Sequence, residues 1–105
     1  MTIGQNALKK LIQGIIQEVQ PLRIILFGSA VINGVDQAGD LDVLVVMPND
    51  TDCRSVAKQL YKSLKNIGKP FDLVVSTPQT LDRHRENPGL VYKSILDSGK
   101  ELYAA

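Results

Sequence analysis

The sequence predicts an α/β or α+β fold built on a small sheet of three or four strands. Two observations carry this. Short apolar runs at 22–27, 41–47 and 71–75 have strand length and end at glycine, proline or polar residues. Between them lie longer segments whose apolar residues recur at steps of three and four, the period of a helix buried on one face.

The first helix is expected over residues 4 to 19. Ile3, Ala7, Leu8, Leu11, Ile12, Ile15, Ile16 and Val19 form its stripe, and Pro21 stops it. Leu22 to Phe27 then reads as a largely buried strand with Arg23 at its entrance. Ser29 to Ile32 is short enough for one or two helical turns, and Gly34 to Gly39 is a loop of turn formers. Leu41 to Met47 is the second strand, closed by Pro48-Asn49-Asp50. Thr51 or Asp52 caps a helix over about 53 to 66. Its buried stripe is Val56, Ala57, Leu60, Tyr61, Leu64 and Ile67, and Gly68 closes it. Phe71 to Val75 is the third strand. Thr77-Pro78 and Asn87-Pro88 each read as a cap followed by a first helical residue. The last helix ends near Ser98 and Gly99, and Glu101 to Tyr103 adds a small edge strand.

Composition narrows the class. The 105 residues are read as one domain, 1–105, large enough for a core. With 44% apolar and 22% charged residues and a net charge of +1, bulk electrostatics give no reason to expect a nucleic-acid substrate. One cysteine, Cys53, excludes an internal disulfide. No apolar run approaches the roughly 20 residues needed to span a bilayer. Lys9, Lys10, Gln13, Gln17 and Glu18 interrupt the first twenty residues, unlike a signal peptide, so a cytoplasmic chain is expected.

Residues 22 to 47 carry the chemistry. Asp40 and Asp42 flank Leu41 at the head of a buried strand, and strand alternation points both carboxylates the same way. Like charges that close raise a pKa unless a cation sits between them. Oxygen donors of this kind suit a hard divalent ion, Mg²⁺ or Mn²⁺. Upstream, Gly28-Ser29 follows a strand. Glycine lets the backbone approach a phosphate, Ser29 offers a hydroxyl, and the amides of a helix start favour an anion. A phosphate cradle beside a carboxylate pair suggests a metal-bridged nucleoside triphosphate. Taken alone, a Gly-Ser is most often a turn and an Asp-x-Asp a solvated loop; the combination in this order is much rarer.

This stretch resembles the nucleotidyltransferase superfamily that includes DNA polymerase beta, and within it the small stand-alone minimal nucleotidyltransferases. Gly28-Ser29, Gly34 and Asp40-Leu41-Asp42 match the pattern, and Asp72, in Lys69-Pro70-Phe71-Asp72-Leu73, fits the third acid on a later strand. The loop after Ser29, Ala30-Val31-Ile32-Asn33, lacks the basic residue common there, and Gly39 stands where a serine often precedes the first acid. The resemblance implies a polymerase-beta-like fold with a mixed sheet. It implies Asp40, Asp42 and Asp72 as catalytic and metal-holding residues with two Mg²⁺ ions, or Mn²⁺. Gly28 and Ser29 would bind the nucleotide, ATP being the expected substrate. It further implies a HEPN-domain toxin as partner, neutralised by transfer of AMP to a tyrosine or by binding alone. A homodimer stays open.

Other readings weigh less. A phosphatase of the Asp-x-Asp nucleophile type would place its acids after the apolar strand, whereas here they precede it. His84, in Asp82-Arg83-His84-Arg85-Glu86, reads as a surface residue, and Arg83 and Arg85 as a solvated face. Tyr92 and Tyr103 read as packing residues near the C-terminus.

Overall fold

The computed structural model describes residues 2–87 and 91–105. Helix α1, Ile3–Val19, begins with a reciprocal cap: Gln5 N–H donates to the Thr2 hydroxyl and Thr2 N–H to the Gln5 side chain. It buries Ala7, Leu11 and Ile15, and ends with Gln20 in the left-handed region ahead of Pro21. Strand β1, Arg23–Phe27, leads through Gly28 into α2, Ser29–Asn33. Strand β2, Leu41–Val46, is buried along most of its length. Helix α3, Cys53–Ser63, is capped by Asp52, whose carboxyl is held below its usual range by the Ser55 amide and hydroxyl. Strand β3, Phe71–Ser76, follows, then α4, Pro78–His84, with Thr77 as its cap. Helix α5, Val91–Ser98, and strand β4, Lys100–Ala104, close the chain.

The strands form one mixed sheet in the order β3-β2-β1-β4. β1 runs antiparallel to β2 and to β4, and β2 runs parallel to β3. Alternation splits the core in two. Ile24, Leu26, Leu41, Val43 and Val45 pack on one face with Leu11 and Ile15 of α1 and Leu60 of α3. Ile25, Leu44 and Val46 pack on the other with Leu81 of α4 and Ile95 of α5. Among the described residues no helix is long and apolar enough to cross a membrane.

The expectations for helix α3 need correction. Helix α3 ends at Ser63, short of 66, because Leu64 turns extended; Gly68, at φ +102°, belongs to the following turn and does not cap the helix. Tyr61 is 45% exposed and so is not part of the buried stripe. His84, read as a surface residue, keeps partial exposure, with its ring stacked on that of Tyr92 at a centroid distance of 6.2 Å. The Asn87-Pro88 start expected for the last helix lies outside the described residues at Pro88.

Candidate functional site

The carboxylates come together because two strands share a register. Parallel pairing sets Asp42 of β2 opposite Asp72 of β3, so their side chains leave the same face of the sheet. That face is the one carrying Leu44, Val46 and Val74, but at its end beyond their cluster. Phe27, the last residue of β1, is the antiparallel partner of Asp42 and brings Gly28 alongside. Asp40 precedes β2 by one residue and turns to the same place. One oxygen from each of Asp40, Asp42 and Asp72 lies within 4.8 Å of the others.

Charge and burial make this cluster costly. Partial burial raises the Asp42 pKa, and the charges of Asp40 and Asp72 raise it further. The ion pairs among the described residues are Arg23–Glu101, Arg85–Asp82 and Lys93–Asp97, and none involves the three acids. A divalent cation held by hard oxygen donors would remove the repulsion, so the donor set fits Mg²⁺ or Mn²⁺.

Gly28 is the tightest element of the site. Its φ of +76° and ψ of −151° lie in a region nearly reserved for glycine. A Cβ at this position would sit 2.6 Å from Asp42 Oδ2. Ser29 is half-buried and opens α2, a helix of five residues whose dipole is correspondingly small. Close backbone approach at Gly28, more than the helix end, is what this turn offers a phosphate.

Two residues support the site in roles the sequence does not show, Tyr61 having the spacing of a buried stripe residue. The Lys69 ammonium donates to the Ala38 carbonyl at 2.6 Å and to that of Asp36 at 3.4 Å, tying down the loop that delivers Asp40. Tyr61 accepts a hydrogen bond from the amide of Leu73, next to Asp72. Neither has a motif: both act between segments distant in sequence, a distance no local pattern encodes. Of the basic residues in 82–86, Arg85 pairs with Asp82 across one helical turn in solvent.

Comparison with known proteins bears on the same residues. A sequence model of the nucleotidyltransferase domain matches residues 8–102, which takes in every strand but the end of β4 and all of the acids. No curated protein matches the chain at a significant level. Among solved structures, a chain of the toxin–antitoxin MntA-HpeT, crystallised in mutant form, is similar in fold. It shares 23% identity at a TM-score of 0.53, with 96% of this chain and 72% of that chain covered. The nearly full-length family match is the stronger finding, and by it this chain belongs to the nucleotidyltransferase domain family.

Proposed function

We propose that this chain is a Mg²⁺-dependent nucleotidyltransferase that moves AMP from ATP to a hydroxyl acceptor, a tyrosine of a HEPN-domain toxin, and so acts as an antitoxin. The observation that carries the catalytic part is the convergence of Asp40, Asp42 and Asp72 beside Gly28. Family membership supports the reaction class. The antitoxin role is supported by likeness in fold to a chain of a toxin–antitoxin complex.

In this reading Asp40 and Asp42 hold metal and triphosphate together, and the Gly28 turn lets backbone amides approach the phosphates. The Ser29 hydroxyl donates to a phosphate oxygen. Asp72 would hold the metal beside the acceptor hydroxyl and help take up its proton. The acceptor oxygen then bonds to the α-phosphorus as the bond to the pyrophosphate leaving group breaks. Bound Mg²⁺ or Mn²⁺ would neutralise charge developing on the phosphates and acidify the hydroxyl. Positioning and electrostatics carry most of the rate.

A second reading, neutralisation by binding alone, is favoured by one observation: the segment Ala30-Val31-Ile32-Asn33 after Ser29 places no cation beside the phosphates. Incubation of the chain and its co-purified partner with labelled nucleotides and Mg²⁺ separates the two. Label on the partner supports transfer. An unlabelled partner in a tight complex leaves binding alone.

A further inference from the structure

We propose that Tyr61 is a positioning residue for Asp72, an inference that rests on reading Asp72 as a metal-holding carboxylate. Of the three acids, Asp72 is the exposed one. It also stands on the outer strand: β2 has neighbours on both sides, whereas β3 is paired to β2 alone. Outer strands open locally more readily than inner ones, so an acid placed there needs support from elsewhere.

Tyr61 supplies that support on both sides of Asp72. In a parallel pair, alternate residues turn their amides away from the partner strand. Leu73, directly after Asp72, gives its outward amide to the Tyr61 hydroxyl at 2.7 Å. Phe71, directly before Asp72, stacks its ring on that of Tyr61, with centroids 5.7 Å apart and planes 7° from parallel. Helix α3 therefore grips the residues flanking Asp72 through one side chain. The hydrogen bond holds the peptide between Asp72 and Leu73, and the stack anchors the Phe71 side chain; together they steady the strand at Asp72 and the direction in which its carboxylate leaves it. Tyr61 itself stays outside the acid cluster, on the face where Phe71 and Leu73 pack.

Three variants test this: Tyr61→Phe, which keeps the ring stack and removes the acceptor, Tyr61→Leu, which removes both, and Asp72→Asn. Amide exchange reports the grip, and Mn²⁺ titration by electron paramagnetic resonance, with a nonhydrolysable ATP analogue present, reports the carboxylate. Tyr61→Phe is expected to speed exchange at Leu73 and to weaken the weaker Mn²⁺ binding step about three- to ten-fold, the worth of one neutral hydrogen bond. Tyr61→Leu should exceed it. In the Asp72→Asn background, Tyr61→Phe should change the Mn²⁺ affinity no further, which a purely structural role would not produce. Unchanged Mn²⁺ affinity in Tyr61→Phe, where Asp72→Asn weakens it, overturns the proposal. Loss of exchange protection across the whole sheet also overturns it, since Tyr61 would then serve general stability. Unchanged affinity in Asp72→Asn removes Asp72 from the site, and the reading beneath the proposal falls with it.

Discussion

Gly28 and Asp42 leave no room for a side chain between them: a Cβ on the glycine would lie 2.6 Å from Asp42 Oδ2. The turn proposed to offer its backbone to a phosphate and the carboxylate proposed to hold the metal thus lie side by side. They meet because β1 and β2 pair with Phe27 opposite Asp42.

Substituting this glycine should therefore damage the site twice. Gly28→Ala must hold a φ of +76°, at a cost of about 1–3 kcal/mol, and must displace the Asp42 carboxylate. Gly28→Val adds steric bulk to the phosphate approach. Both should lower the unfolding midpoint and weaken Mg²⁺-dependent ATP binding by at least about tenfold, where 1.4 kcal/mol equals one decade. Calorimetry on the folded variants checks it.

Two acids should divide the work. Asp42→Asn is expected to impair nucleotide binding and transfer together. Asp72→Asn is expected to spare most nucleotide binding and to lower the transfer rate by orders of magnitude, as an interaction made chiefly in the transition state would. Single-turnover rates beside nucleotide affinities decide it, and transfer at the unmodified rate in Asp72→Asn would take that residue out of the reaction.

The raised Asp42 pKa gives a signed pH dependence. Its folded value lies above its unfolded one, so the folded state binds this proton more tightly. The stability it contributes is full below the unfolded pKa, about 3.9, and is lost as pH rises through the folded value. Metal-free protein should lose this contribution as pH rises through that window, and Mg²⁺, which needs the ionised carboxylate, should restore stability on the alkaline side. Urea unfolding over pH with Mg²⁺ or EDTA tests it. A Mg²⁺ effect that is the same on both sides of the window would count against Asp42 as a ligand.

A distant cap serves as control. Thr77 is buried and its hydroxyl accepts from Thr80 N–H at the start of α4. Thr77→Ala should cost roughly 0.5–2 kcal/mol in denaturant unfolding and leave ATP affinity unchanged.

Much of this was legible in the sequence, and the reason differs by residue. Asp40 and Asp42 could be expected together because alternation across Leu41 is a local pattern, although Asp40 lies just before β2 and reaches the cluster from the loop. Thr77-Pro78 read correctly because a cap and its first helical residue are adjacent. Asp72 was matched through a family resemblance, since the parallel register that sets it opposite Asp42 depends on how two distant strands align. Tyr61 misled: its spacing fits the buried stripe of α3, yet its hydroxyl reaches the open edge of β3, where solvent is. The early end of α3 escaped because Gly68 is a strong stop signal, while the chain had already turned extended at Leu64.

In the proposed reading the three acids and the Gly28 turn make one metal-bridged triphosphate site. Titrating ATP into the protein by calorimetry, once with Mg²⁺ and once with EDTA, tests it most directly. Saturable binding with Mg²⁺ that collapses in EDTA, and is weakened in Asp42→Asn, is the predicted result. Equal affinity in Mg²⁺ and EDTA would contradict it.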